Sequence, residues 1–172
     1  MKNYPLIAMY LSAIVLANLT VALAPPAWRG SVVLVNAFLL VALDLVARDH
    51  LHDAWQGRGL LWRMGALVVC GSVLSYALNA SAGPIALASC AAFGLAAATD
   101  ALVYGALGRR PWLVRANGSN AVGALVDSAV FLSLLASYGL LPWGAVPWLV
   151  AGQWLAKTCG GALWSLAPRR TS

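Results

Sequence analysis

The segment RANGSNAVGALVDSAVF, residues 115–131, begins with basic and polar residues and continues as an apolar run with Asp127 near its middle. Ser119, Gly123 and Asp127 recur every four residues, a spacing that places side chains on one side of an α-helix. A carboxylate at the centre of a bilayer costs roughly 2.5–3.5 kcal/mol, and such a residue usually faces a cavity or a counter-ion. If this run spans a membrane, Asp127 therefore needs a partner or a function.

The composition predicts an integral membrane protein. Of the 172 residues, 62% are hydrophobic and 9% are charged, whereas a soluble domain has about 25% charged residues. Several apolar runs reach the ~20 residues that cross about 30 Å of hydrocarbon. We expect one all-α domain over residues 1–172, a bundle of six transmembrane helices. Their approximate positions are 4–24, 31–47, 60–78, 84–107, 118–137 and 146–166.

The basic residues predict the orientation of this bundle. Nine lysines and arginines, including Arg48 and Arg115, fall at the termini or in loops on one side, and only Arg29 falls on the opposite side. By the positive-inside rule, both termini are cytoplasmic, and the chain is a multi-pass protein of the cell inner membrane. The lipid bilayer is thus its first partner. Since the net charge of +6 resides mostly in these loops and termini, no nucleic-acid partner is predicted.

Polar residues recur within the predicted spans. Asp127 and Lys157 lie about ten and eleven residues into the fifth and sixth spans, so an ion pair at matching depth is expected between these antiparallel helices. In the second span, Asp44 and Arg48 are four residues apart, which suits an intrahelical ion pair. Asp100 is expected near the cytoplasmic end of the fourth span.

These polar groups predict a central cavity between the helices. The candidate substrate-binding residues are Asn18, Asp44, Asp100, Ser119, Asn120, Asp127, Gln153 and Lys157. Carboxylates, amides and hydroxyls, with tyrosine and tryptophan nearby, suit a small planar solute, because polar groups pair with its ring edges and aromatic rings stack on its faces. The alternative is that the charged residues form structural pairs only.

The sequence carries no motif for catalysis or metal binding. Gly-x-Ser-x-Gly, His-Glu-x-x-His and a Gly-rich phosphate loop are all absent. His50 and His52 lie two residues apart, and on a helix their side chains would diverge by about 200° instead of converging on a metal ion. We therefore predict no enzyme activity, no metal, no cofactor and no coupling to ATP within this chain.

Residues 115–131 resemble the signature segment of the putative vitamin uptake transporter family, whose best-known members take up queuosine precursors such as 7-cyano-7-deazaguanine. The matching positions in this segment and elsewhere are Arg115, Ser119, Gly123, Asp127, Ser128, Phe131, Ala17, Asn18, Asp44, Arg48, Asp100, Gly152, Gln153 and Lys157. The combination of LDLVARDHLH, residues 43–52, with RANGSN, residues 115–120, is similar to a short subgroup. Two positions depart from the family pattern. Ala124 stands where the family often has Asn or Gln, and Leu43 stands where it often has Thr.

The resemblance implies a transporter that imports a 7-deazaguanine-like base. In this hypothesis Asp127 and Asp44 accept hydrogen bonds from the ring N–H and amino groups, and Lys157 is the counter-charge. The family's similarity to the substrate-binding subunits of energy-coupling-factor transporters supports a second hypothesis: a binding subunit that docks on an energising partner through the small residues Ala13 and Ala17. The same face also suits assembly as a homo-oligomer.

Overall fold

The computed structural model describes residues 4–41, 43, 47, 51, 55 and 59–165. Helix dominates these residues and no strand occurs among them, which confirms the predicted all-α class. Asp44, Arg48, His50 and His52 lie outside the described residues, so the expected Asp44–Arg48 pair stays a prediction.

Six α-helices with described bounds follow one another along the chain, and the described residues 43, 47, 51 and 55 are helical as well. The six helices are α1 (Tyr4–Leu23), α2 (Pro26–Asn36), α3 (Leu60–Leu78), α4 (Gly83–Ala106), α5 (Trp112–Ser137) and α6 (Val146–Ser165). Six helices agree with the predicted number, and the crossing of the membrane by all six stays a prediction. A π-helix, Ala37–Val41, continues α2.

Two helices begin earlier than the apolar runs indicated. α2 starts at Pro26 and not near residue 31, because proline is well suited to the first helical turn, where its missing N–H needs no partner. α5 starts at Trp112, directly after Pro111, and so includes the polar residues 115–120. Hydropathy marks where a helix can enter lipid, whereas the two prolines mark where each helix begins.

Long apolar helices show that this is a membrane protein. Among the described residues, three helical stretches are long and apolar enough to cross a bilayer: Tyr4–Leu23, Ala80–Ala106 and Gly118–Ser137. Two shorter apolar stretches, Pro26–Val41 and Trp62–Leu78, accompany them. Large apolar side chains also cover the outside of the bundle, as expected for a surface in contact with lipid acyl chains.

Buried apolar side chains form two clusters at opposite halves of the bundle. The first contains Val21, Val33, Ile85, Ala88, Leu132, Leu135, Ala136, Leu141 and Val146. The second contains Tyr10, Ala47, Leu51, Met64 and Val68. Because α1 contributes Tyr10 to one cluster and Val21 to the other, the middle of this helix lies between them.

A glycine allows α1 and α3 to approach closely. A methyl group on Gly71 would lie 2.7 Å from Ile14 Cγ2 and 3.1 Å from its Cβ, well inside normal contact distance. Ile14 is β-branched and has little freedom to rotate away in a helix. Small residues at such contacts let helices in membranes pack backbone against side chain.

We predict that Gly71→Ala lowers the thermal unfolding midpoint of the detergent-solubilised protein, since overpacking typically costs about 1–3 kcal/mol. Gly65→Ala is the matched control on the same helix, because nothing lies within 4 Å of a methyl group there. When Ile14→Ala has already removed the clashing side chain, the addition of Gly71→Ala should lower the unfolding midpoint only slightly further. Equal effects of the two glycine substitutions would contradict this packing.

Candidate functional site

A cavity of about 150 Å³ lies between the helices and is lined by residues from all six of them. Its polar lining comprises Asn18, Asn36, Ser89, Asp100, Asn120, Asp127, Gln153 and Lys157. Val21 and Val33 of the first apolar cluster and Tyr10 and Val68 of the second also border it. The cavity is therefore a polar layer between two apolar clusters.

Aromatic rings line the cavity beside these polar groups. They belong to Tyr10, Phe93 and Phe131. The sequence also suggested tryptophan, but no tryptophan is among the described lining residues. Among the described residues, the indole closest in sequence to the site, that of Trp154, instead donates to the Ala121 carbonyl at 3.0 Å and joins α6 to α5.

The predicted ion pair between Lys157 and Asp127 is present and joins α6 to α5. Lys157 Nζ also donates to Ser128 Oγ at 3.0 Å and to Gln153 Oε1 at 3.2 Å. An ammonium group has three donors, so these three partners satisfy it fully. The charge of Lys157, which is only 3% exposed, is thereby compensated within the protein.

Asn18 of α1 is oriented by a hydroxyl group on α3. Ser75 donates its only hydroxyl proton to the Gly71 carbonyl at 2.7 Å. Its oxygen therefore acts as an acceptor, and Asn18 Nδ2 donates to it at 3.1 Å. This bond fixes the nitrogen of the Asn18 carboxamide against α3 and leaves the oxygen for the cavity.

Asn36, at the end of α2, is oriented in the same way. Thr20 donates its hydroxyl proton to the Leu16 carbonyl at 2.7 Å, and Asn36 Nδ2 donates to the Thr20 oxygen at 2.8 Å and to the Ala17 carbonyl at 3.1 Å. The π-helix begins at the next residue, and π-helical turns often occur at functional sites. Asn36 was not among the predicted site residues; its signal is an amide inside an apolar run.

Asp100 of α4 lines the cavity with a buried oxygen, Oδ1, that has no hydrogen-bond partner in the described part of the chain. Its side chain lies over Gly123 of α5. A methyl group on Gly123 would be 3.4 Å from Asp100 Cβ and 3.9 Å from Oδ1. Buried polar groups are nearly always paired in folded proteins, so this oxygen calls for a partner beyond the described residues, such as a water molecule or a ligand.

Six of the predicted site residues line this cavity: Asn18, Asp100, Asn120, Asp127, Gln153 and Lys157. Ser119 is buried but is not among the described lining residues. Asn120 precedes Asp127 by seven positions, so their side-chain directions on a helix differ by only about 20°. Ser119 precedes it by eight positions, and the difference grows to about 80°. Asp44 lies outside the described residues, and of Arg115 only its place in α5 is described.

The Ala13–Ala17 pair, expected to form a docking surface, faces the inside of the bundle. Ala13 is 3% exposed, and both alanines line the cavity. The small residues that α1 exposes are Ala8, Ser12 and Thr20. The predicted placement of that surface is therefore corrected. Small residues pack inside a bundle as readily as between two proteins, so their spacing alone does not separate the two roles.

Apolar helices around a polar cavity are the architecture of a membrane transport protein. A family model described as putative vitamin uptake transporter matches residues 5–166. The chain therefore belongs to the putative vitamin uptake transporter family, which confirms the family resemblance of residues 115–131. No curated protein and no solved structure matches the chain.

We predict that Lys157→Met destabilises the protein by roughly 3 kcal/mol, the lower end of the range for breaking a buried ion pair. The lower end applies because Asp127 keeps 27% of its side chain exposed. Thermal unfolding in detergent measures the loss. The charge-matched control is Lys157→Met with Asp127→Asn, which should recover most of the stability. If the double variant is no more stable than Lys157→Met, the ion pair is not the cause.

Proposed function

We propose that this protein is a multi-pass inner-membrane transporter that imports a small planar base, a queuosine precursor such as 7-cyano-7-deazaguanine. The observation that carries this proposal is the single cavity to which all six helices contribute, with amides, carboxylates and aromatic rings in its wall. Membership of a vitamin uptake family supports import of a vitamin-like solute. The resemblance of residues 43–52 and 115–120 to a short subgroup supports the queuosine precursor in particular.

The size of the cavity fits a ring compound. It measures about 150 Å³, and an engineered cavity of ~150 Å³ in another protein admits benzene. A base of one or two fused rings is therefore a better match than a nucleotide, which adds a sugar and phosphates. Phosphates would also need several cations, and the one lysine of the described cavity wall is already paired with Asp127.

The lining also fits the polarity of such a base. A planar base carries N–H and C=O groups around its edge, and each costs free energy when it leaves water without a new partner. Asn18, Asn120 and Gln153 offer amide groups that replace water at these edges, and Asp100 and Asp127 offer carboxylates. Asp44 is proposed as a further acceptor from the second predicted span. Tyr10, Phe93 and Phe131 offer ring surfaces for stacking.

Transport then requires access from each side in turn. The cavity lies between the two apolar clusters, one of which contains Val21 and Leu132 and the other Met64 and Leu51. Each cluster excludes water from one end of the site. In the proposed mechanism, the helices separate at one cluster while the other stays packed, so that the base moves across without an open pore.

We predict that Ala97→Leu abolishes uptake of 7-cyano-7-deazaguanine by cells that cannot make 7-deazapurines, because the added side chain fills the cavity. Ala98→Leu is the matched control: Ala98 is exposed on the same helix and is not among the described lining residues. Both variants should reach the membrane in normal amounts. Equal uptake by the two variants would contradict a route through this cavity.

The same base should raise the thermal unfolding midpoint of the purified wild-type protein, since a ligand that binds only the folded state stabilises it by mass action. Ala98→Leu should show the same increase and Ala97→Leu none. Proteoliposomes that contain this chain alone test whether import needs an energising partner. If neither stabilisation nor uptake by wild-type cells is found for this base, the proposed substrate is wrong.

A further inference from the structure

The charges of Lys157 and Asp127 compensate each other within the protein. Lys157 uses its three donors on Asp127, Ser128 and Gln153, so no ammonium N–H is left for the cavity. Asp127 is the carboxylate that balances this cation. Lys157 is therefore excluded as a donor to a ligand, and Asp127 keeps only its second oxygen, Oδ1, for the cavity.

The amide groups present a defined pattern of acceptors and donors. Asn18 and Asn36 each give their NH2 group to a neighbouring helix, which leaves two carboxamide oxygens as acceptors. Gln153 has the opposite orientation. Because a lysine ammonium can only donate, Gln153 must turn its oxygen to Lys157 and keeps its NH2 group as a donor.

Asp100 adds a carboxylate oxygen, Oδ1, that is buried and has no hydrogen-bond partner in the described part of the chain. Gly123 of α5 places no side chain beside this oxygen. Charge-assisted hydrogen bonds are roughly twice as strong as neutral ones. An N–H donor of a ligand therefore forms a stronger hydrogen bond to the Asp100 carboxylate than to the carboxamide oxygen of Asn18 or Asn36.

We infer that Asp100 is the residue that recognises the substrate, by accepting hydrogen bonds from an edge with adjacent ring N–H and exocyclic amino donors, as in an aminopyrimidinone. The inference rests on the proposed function and names the carboxylate and the chemical class. The carboxamide oxygens of Asn18 and Asn36 accept from further N–H groups, and Gln153 donates to a ring carbonyl. Asp127 orients Gln153 through Lys157 and has a positioning role.

A monovalent cation is the other occupant that oxygen acceptors would suit. The donor NH2 group of Gln153 and the rings of Phe93 and Phe131 argue against it, because they offer a cation no oxygen ligand. No group of three or more His, Cys, Asp or Glu side chains that would hold a metal ion occurs in the described part of the chain. An organic base with donors at its edge fits the whole lining.

The test uses the purified full chain and two pairs of bases whose members differ only in the exocyclic amino group. The pairs are 7-cyano-7-deazaguanine with 7-cyano-7-deazahypoxanthine, and guanine with hypoxanthine. Titration calorimetry gives dissociation constants for the wild type, Asp100→Asn and Thr99→Val. Thr99 is the matched control, since it neighbours Asp100 on α4, bonds the Leu95 carbonyl and is not among the described lining residues.

We expect the wild type and Thr99→Val to prefer the amino-bearing base by roughly 10- to 100-fold, the range of a charged hydrogen bond. Asp100→Asn should lose this preference, because its NH2 group would meet the donors of the base. Its affinity for the base without the amino group should fall by a smaller factor, because that base keeps only the ring N–H, which then donates to a neutral carboxamide oxygen instead of a carboxylate. Asp100→Ala should lose the same preference and serves as the second variant should Asp100→Asn fold poorly.

Retention of the preference in both Asp100 variants would overturn the inference, and so would equal binding of both members of each pair by the wild type. If the wild type binds neither 7-deaza base, the proposed substrate fails separately. A preference for guanine over hypoxanthine that disappears in Asp100→Asn would then still support the inference, and no preference would overturn it. A requirement for sodium ions that Asp100→Asn removes, with the base preference unchanged, would assign Asp100 to a cation and overturn it.

Discussion

The satisfied ammonium group of Lys157 is the constraint on which the rest of the cavity depends. A lysine in an apolar bundle is costly unless its charge is paired and its donors are bonded. Asp127 and Ser128 of α5 and Gln153 of α6 meet both needs. These bonds set the register of the two helices. They also decide which atom of Gln153 faces the cavity. The bonding of Lys157 thus determines that a substrate would meet the NH2 group of Gln153 and not its oxygen.

Three hydroxyl groups orient polar side chains on neighbouring helices in the same way. Thr20, Ser75 and Ser128 each donate to a carbonyl four residues earlier in their own helix. A hydroxyl has one proton, so each oxygen is left as an acceptor for a neighbouring helix. Asn36, Asn18 and Lys157 supply the donors. A hydroxyl group that could donate to a neighbouring helix thus only accepts from it. The side chain on the neighbouring helix must therefore turn its donor toward this hydroxyl oxygen.

Much of this arrangement follows from the sequence, because helical periodicity and depth are local properties. The six helices, the Asp127–Lys157 pair and the family follow from apolar runs, spacing and the motif at residues 115–131. The inner or outer position of a residue depends instead on neighbouring helices. The spacing grouped Ser119 with Asp127, although the side chain of Asn120 points more nearly in the direction of Asp127. It also placed the Ala13–Ala17 pair on the outer surface of the bundle. No local pattern indicates that Ser75 would orient Asn18 from 57 residues away.

Asp100 and Asp127 lie on helices that pack together, yet the protein treats them differently. Asp127 has a cation, whereas Asp100 keeps a buried oxygen for which the described residues offer no hydrogen-bond partner. Leaving a buried acceptor unpaired costs about 1–3 kcal/mol. A purely structural carboxylate at that position would gain stability from a donor on α5, yet Gly123 offers none. The bundle therefore holds unfavourable free energy where a ligand with an N–H group would remove it. Binding there would stabilise the contact between α4 and α5, and this links occupancy of the cavity to helix packing.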